Sequence, residues 1–336
     1  MAVAFQEIDT KEKWDEFIFA NAPGALFQTW DWGEVIKKTG SPLWRIGAFS
    51  GSRLVGAMQI TRVDARRGSF LHVRHGPVFS SDARAFMRDA TSYLVARAKE
   101  KGVWFVRISP QIAASEEHET LFRALSYRPS PIHAMDAENC WVLRLGESEE
   151  DILSHMRKTT RYEVRQAQKL GVKVRVSQDE KDLTMFMGLY GKTASRHGFV
   201  PHKGIEEEFR VFAKLGKAQL FLGFYEGALV SGAIVLFVGK QAIYHHGASI
   251  PSRAPVSALL QWSAIVEAKK QGMEVYNFWG IAPDDKKNHP WRGITLFKKG
   301  FGGREVNYLH AHDLPVSSLY ALSWLVESVR RFTRGY

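Results

Sequence analysis

From Tyr276 to Arg304 the chain reads YNFWGIAPDDKKNHPWRGITLFKKGFGGR, and this stretch gathers side chains able to act on an anionic ligand. A strand is expected from Val275 to Phe278, ending in a loop that holds Gly280, Pro283, Pro290 and the acid pair Asp284-Asp285. There follow His289-Pro290-Trp291, a short apolar piece from Ile294 to Phe297, the pair Lys298-Lys299 and the turn Gly300-Phe301-Gly302-Gly303. A turn with only a connecting task is satisfied by Gly, Asn, Asp and Pro. Here Trp, Phe, Lys and Arg are interleaved with the turn residues, which suits a ligand that is anionic and has flat or apolar parts. Lys298 directly precedes glycines that let backbone approach a ligand closely. A fixed cation and the amides of Gly300 to Gly303 are the kinds of group that stabilise a developing oxyanion. The competing reading makes the aromatics core and the lysines a solvated face.

The rest of the chain has to position that stretch. A length of 336 residues exceeds what one core usually fills, so two domains are expected. Lys and Arg outnumber Asp and Glu by 46 to 35, giving a net charge of +11. That balance favours a polyanionic partner: nucleic acid, an anionic membrane surface or a phosphorylated substrate. Cys140 is the sole cysteine, which excludes an intramolecular disulfide and a cysteine-based zinc site; it is expected to be buried beside Trp141. Gly-x-Ser-x-Gly and His-Glu-x-x-His are both absent, which argues against the corresponding hydrolases. The first twenty residues carry acids and no apolar core of a signal peptide, and no apolar run approaches the ~18 residues of a spanning helix. A cytoplasmic protein is expected, working at the inner face of the membrane.

Hydrophobic periodicity predicts a helix over Lys11 to Ala20 and a short one ending near Gly40. Strands are predicted at Trp44 to Phe49, Leu54 to Val63 and Ser69 to Val73, a helix from Asp82 to Lys101 stopped by Gly102, and a strand from Val103 to Ile108. The same order recurs. Phe49-x4-Leu54-Val55 returns as Phe224-x4-Leu229-Val230, and Ala98-Lys99-x-x-Gly102 as Ala268-Lys269-x-x-Gly272, so one α/β module is present twice. Between the copies, Met156 to Gly171 is a basic helix carrying Arg157, Lys158, Arg161, Arg165 and Lys169, suited either to phosphates or to solvent. His245 and His246 lack Cys, Asp or Glu at ligand spacing, so no metal site is assigned. The tail, Val316 to Arg331, repeats Leu319, Leu322, Trp324, Leu325 and Val329 at helical spacing and ends in Arg330, Arg331 and Arg334. Leu319, Trp324 and Leu325 are expected to pack on the first domain; an interfacial membrane helix is the alternative.

The run Tyr276-x-Phe278-x-Gly280-Ile281, then His289-Pro290-Trp291-x-Gly293-Ile294-x-x-Phe297-Lys298-x-Gly300-Phe301-Gly302, resembles the C-terminal signature of the FemABX peptidyltransferases. Those enzymes move an amino acid from aminoacyl-tRNA to the stem peptide of a peptidoglycan precursor. Phe27-Gln-Thr-Trp30 to Gly40, the turn Arg74-His75-Gly76-Pro77 and the basic helix also resemble family motifs. The resemblance implies an α/β (α+β) fold of two tandem GNAT-like acyltransferase domains, mixed sheets flanked by helices, here at 1–145 and 146–315, with 316–336 returning to the first. It implies an aminoacyltransferase that needs no cofactor and acts as a monomer on aminoacyl-tRNA and on UDP-MurNAc-pentapeptide or lipid II.

Carried over residue by residue, Lys298 would neutralise the tRNA terminus or the charge developing on the ester, with Phe297 against the terminal adenosine. Lys37 or Lys38 would meet the acceptor's diphosphate, with Trp30, Arg74, Tyr244 and Trp291 lining its groove. His202 or Lys203 stands where related enzymes place an arginine on that phosphate. Arg157, Lys158, Arg161, Arg165 and Lys299 would meet tRNA. The end of the strand at Ser109-Pro110-Gln111 departs from the family, where an acid is common, so no acid-base role is carried onto it. A CoA-dependent GNAT N-acyltransferase is the enzymatic alternative, although Phe297-Lys-Lys-Gly300-Phe-Gly302 lacks the leading Gln or Arg of a pyrophosphate loop. A non-catalytic RNA-binding protein would explain the charge but not the repeated module.

Overall fold

The computed structural model describes residues 3–80, 83–134, 136–284 and 289–334. They form two compact units, 1–139 with 282–290 and 306–336, and 140–281 with 291–305. The first unit carries a sheet of β1 (Ala4–Glu7), β2 (Leu43–Ser50), β3 (Arg53–Ala65), β4 (Gly68–Arg74), β5 (Val78–Phe79), β6 (Phe105–Ser109) and β7 (Arg128–Pro129). The second sheet takes β8 (Asn139–Arg144), β9 (Lys173–Ser177), β10 (Ala218–Tyr225), β11 (Ala228–Val238), β12 (Gln241–Ser249), β13 (Val275–Gly280) and β14 (Arg304–Asn307). A last strand, β15 (His312–Pro315), completes the first sheet between β6 and β7. The strand orders are β1-β2-β3-β4-β6-β15-β7, with β5 beside β3, and β14-β8-β13-β12-β11-β10-β9.

The repeated motifs fall on equivalent features. In the first unit Phe49 pairs with Leu54 beyond a register shift at Ala48/Phe49; in the second Phe224 pairs with Leu229 beyond one at Gly223/Phe224. The second hairpin closes through Glu226 and Gly227, both at positive φ, as a two-residue turn matched to strand twist requires. Each hairpin continues into a third strand, a helix (Ala83–Glu100 or Val256–Lys270) and a parallel strand. Both helices end in the same way: Gly102 and Gly272 have positive φ and donate to Lys99 and Lys269, while Val103 and Met273 donate to Ala98 and Ala268. Such paired bonds need a left-handed residue after the helix, which is why Gly stands in both copies.

The helix Val256–Lys270 is apolar nearly all round and lies in the core of its unit with Leu259, Leu260, Trp262 and Ile265 buried. Ala83–Glu100 instead buries one stripe, Met87, Ala90, Leu94 and Ala98.

The divisions differ from those expected at 145/146 and 315/316. The first unit ends at Asn139, and 306–315 return to it because β15 hydrogen-bonds to β6 and β7. The tail helix, Tyr320–Arg334, meets the first unit through its polar side. Glu327 binds Arg67 (2.6 Å) and Arg107 (2.6 Å), Ser323 donates to the Arg67 carbonyl, and Tyr320 donates to Asp313 at 3.1 Å. The expected packing of Leu319, Trp324 and Leu325 on that unit is therefore incorrect: all three are exposed. Apolar periodicity gives the apolar face but not which face is covered, and a buried arginine outcompetes it here.

Candidate active site

In the second unit β12 and β13 pair in parallel only over Gln241–Ile243 and Val275–Asn277, after which the ladder ends. The backbone opened there needs other partners, and a register shift reshapes it. His246 and Tyr244 oppose the consecutive residues Ile234 and Val235, leaving His245 as the extra residue of a bulge. Neighbours on a regular strand point to opposite faces. The bulge instead lets both His245 and His246 reach Glu208 on the helix Ile205–Lys214, at 3.1 and 2.8 Å. Burial works against the Glu208 carboxylate, but the two imidazoles hold it well below the usual range; burial lowers His246. The carboxylate missing from the local sequence thus arrives from 37 residues upstream of His245. Among the described residues these three form a group whose ligand atoms lie within 4.8 Å, close enough for a metal ion, although the carboxylate is already satisfied by both rings.

Trp279, at the far end of β13, has φ of 66° and stands 5.3 Å from the His245 ring. The segment after it, expected as a short apolar piece, is the helix Arg292–Lys299, with Trp291 as its N-cap. Its last turn brings the buried Lys298 back to the opened strand end, where Nζ donates to the Gly280 carbonyl and lies 5.8 Å from the Tyr244 ring. Burial brings the Lys298 ammonium down to about 8 and pushes the Tyr244 phenol up to about 12. The amides of Gly300, Phe301 and Gly302 donate to Leu296, Lys298 and Lys299, so they cap this helix and are not aimed at a ligand. Three of the four amides expected to form an oxyanion site are therefore taken up by the helix end.

Phe297 lines a cavity of about 240 Å³ with Glu163, Val230, Ile250, Ser252 and Pro255 to Ala258. The first residues of Val256–Lys270 line it too and present the positive dipole end of that helix, although the Val256 and Ala258 amides already donate to Ala254 and Pro255. On the basic helix Lys158–Lys169, which buries Thr160, Val164 and Ala167, residues Arg157, Lys158, Arg165 and Lys169 are exposed. Arg161 is not: it donates to the Ser154 carbonyl at 2.7 Å and ties down the end of the preceding helix. Lys299 lies 5.1 Å from the Trp141 ring and 3.7 Å from Glu305. His202 and Lys203 sit on an exposed loop, with the His202 ring 5.9 Å from that of His246. Cys140 is buried, and burial raises its thiol to about 12.

In the first unit, Trp30 opens the helix Trp30–Lys38, whose N-cap is Thr29. The Arg45 guanidinium stacks 3.5 Å from the Trp30 ring and binds Glu34 at 2.9 Å; Lys37 binds the same Glu34 at 3.0 Å. Trp30, Lys37 and Arg45 share a second cavity of about 240 Å³, while Lys38 is exposed. Arg74, at the end of β4, lies 3.4 Å from the Phe27 ring and binds Asp136 at 2.8 Å. Burial opposes the Asp136 charge, but Arg74 and His72 hold its carboxyl well below the usual range. This acid was not singled out in the sequence, since it lies 62 residues from its partner. Gln111 is engaged structurally, donating to the Gly24 carbonyl. Asp285 of the acid pair lies outside the described residues.

The chain is similar to known proteins along most of its length. The sequence profile of the FemAB family matches residues 10–126, 134–205 and 207–328. A lipid II:glycine glycyltransferase of Staphylococcus epidermidis is 20% identical over 373 residues, covering 87% of this chain and 88% of its own length. A protein of that description in Staphylococcus aureus is 20% identical over 378 residues, with the same shares covered. The crystal structure of FemX has a TM-score of 0.82 at 19% identity, covering 96% of this chain and 100% of its own. A tandem GNAT protein from the clavulanic acid biosynthesis pathway has a TM-score of 0.60 at 12% identity, covering 94% and 99%. The two modules are thus of the GNAT type, mixed sheets flanked by helices, and the chain belongs to the FemAB family.

Proposed function

We propose that this protein is a tRNA-dependent aminoacyltransferase that extends the stem peptide of a peptidoglycan precursor, building an interpeptide bridge. The observation that carries the reading is Lys298, a lysine buried at the opened end of β12 and β13 and adjacent in the chain to Phe297, which lines a cavity. The names of the relatives support lipid II as acceptor. A lipid-linked acceptor would bring a cytoplasmic enzyme to the inner membrane face; among the described residues no helix is long and apolar enough to cross it.

An aminoacyl ester is already activated, so positioning supplies much of the acceleration. The acceptor amine attacks the ester carbonyl, a C–N bond forms, the C–O bond to the ribose breaks, and the ribose oxygen takes up a proton as the amine loses one. Negative charge develops first on the carbonyl oxygen and then on the ribose oxygen. Lys298, held by a carbonyl dipole in a water-poor setting, is the cation available to both. Phe297 offers a flat platform to the terminal adenosine at the cavity that it lines. The exposed Arg157, Lys158 and Arg165 would bind tRNA phosphates further out. In the first unit the Trp30, Lys37 and Lys38 corner and Arg74 are the acceptor-binding groups, and His202, Lys203, Tyr244 and Trp291 line the acceptor side of the second.

The test supplies purified protein with a charged tRNA pool and, separately, lipid II, UDP-MurNAc-pentapeptide or acetyl-CoA with a peptide amine. Mass spectrometry should find a stem peptide heavier by one or more amino-acid residues. Acetyl transfer with no aminoacyl transfer to either precursor would overturn the reading in favour of a CoA enzyme.

A further inference from the structure

We propose that the helix Tyr320–Arg334 is a docking element that lies in the plane of an anionic lipid surface, apolar face down. The inference goes beyond the transfer reaction and holds for either acceptor.

An ordinary surface helix turns its apolar stripe to the core and its polar face to water. This one is mounted the other way round. Tyr320, Ser323 and Glu327, spaced i, i+3 and i+7, are the buried residues, and each is tied by a polar bond to β15, β6 or the β3–β4 turn. Leu322, Leu325, Val326 and Val329, also at i, i+3, i+4 and i+7, point away, with Leu322 55%, Leu325 56% and Val329 53% exposed. Phe332 extends this stripe, and Trp324 stands on the side next to the anchored face, both exposed. The orientation is not loose. Arg107, itself buried, grips Glu327 and Asp313 with bonds of 2.6 to 2.8 Å, so rotating the helix to hide its leucines would strand a buried guanidinium.

The charges select the occupant. Arg330 falls on a border between the anchored face and the apolar stripe, Arg331 follows Glu327 by one turn on the anchored side near His310, and Arg66 is exposed at the hairpin tip next to the anchor Arg67. The helix has a single acid, Glu327, and it is consumed internally. Two copies pressed stripe to stripe would leave Arg330 at the edge of the contact with no carboxylate on the helix to offset it. An anionic headgroup layer offsets it, with the leucines at the acyl boundary. At 15 residues the helix is about 22 Å long, too short to span a bilayer.

The experiment is co-sedimentation of the full chain with phosphatidylglycerol/phosphatidylethanolamine vesicles at low salt, with phosphatidylcholine vesicles in parallel, and light scattering without lipid. Wild type should bind the anionic vesicles and be released by salt. Removing the border charge with R330Q should weaken binding roughly fivefold, and L325E/V329E should weaken it at least as much, with melting temperature retained because these side chains are more than half exposed. Absence of wild-type binding, or binding that both variants keep, would overturn the proposal. So would a wild-type dimer that L325E/V329E dissociates while vesicle binding is unchanged, which would make the face a contact between copies. Aminoacyl transfer to lipid II and to the soluble precursor, assayed alongside in detergent without vesicles, separates the two ideas: transfer to either without vesicle binding defeats the docking element alone, and vesicle binding without transfer to either defeats only the enzymatic reading.

Discussion

Lys298 titrates where it can be watched. Burial lowers its ammonium to about 8 from an ordinary 10.5, so the unfolded chain holds more protons between those values. Folding stability should therefore gain from this group as pH rises from about 8 to 10.5, while below 8 its full burial cost is present. If the cation acts in transfer, the single-turnover rate at saturating substrates should fall as pH rises through about 8; a profile that is flat or still rising to pH 10 would rule that out. Lys298→Ala should cost on the order of a hundred- to a thousand-fold in that rate, and a rate within about threefold of wild type would reduce Lys298 to a tRNA contact. Lys37 and Lys38 should behave differently. Their joint replacement by Ala should raise the acceptor KM more than it lowers kcat, because a diphosphate is bound alike in ground and transition states. A pure kcat defect would contradict that role. The lysines themselves were legible as residues; the burial that makes Lys298 titrate near 8 was not, since it depends on Tyr244 and Gly280, which come from two strands.

Elements are held by groups far apart in sequence. Arg107 on β6, Asp313 on β15 and Glu327 on the tail helix form one buried network. Glu327→Ala should destabilise the protein by about 3 kcal/mol, since it leaves a buried guanidinium half-paired, and thermal or denaturant unfolding would measure it. A change below about 0.5 kcal/mol would mean that the helix is not secured by that bond. At the end of β4, burial keeps His72 neutral, with its pKa near 3, and Asp136 is held low by Arg74 and His72. Both groups bind fewer protons folded than unfolded. Stability should thus fall as pH drops from about 6.5 towards 3, and His72→Gln should flatten that dependence. Periodicity located these elements well, because hairpins and helix stops are local: Gly102 and Gly272 mark the same cap at the same place in each module. It misjudged the tail helix, because which side of an amphipathic helix is covered depends on a buried arginine more than 200 residues away.

Across the whole molecule the excess of positive charge implies a polyanion, and the exposed part of the Lys158–Lys169 helix is where it should bind. Replacing Arg157 and Arg165 by Glu should weaken binding across tRNA sequences and flatten its salt dependence by roughly one unit of slope per lost contact. Arg161→Glu should chiefly cost stability, because that side chain holds the Ser154 carbonyl. A slope unchanged in the double variant would leave the helix as a solvated face. The sequence by itself determined the repeated module, its hairpins and caps, and the family, because these rest on short-range spacing and on an ordered motif from Tyr276 to Gly302. Tertiary structure alone decided that the glycine turn caps a helix, that Glu208 meets two adjacent histidines, that Asp136 balances Arg74, and that the last helix shows its leucines to solvent. Each of these depends on side chains that meet only after strands have paired, and pairing brings together positions whose separation along the chain carries no periodic signal.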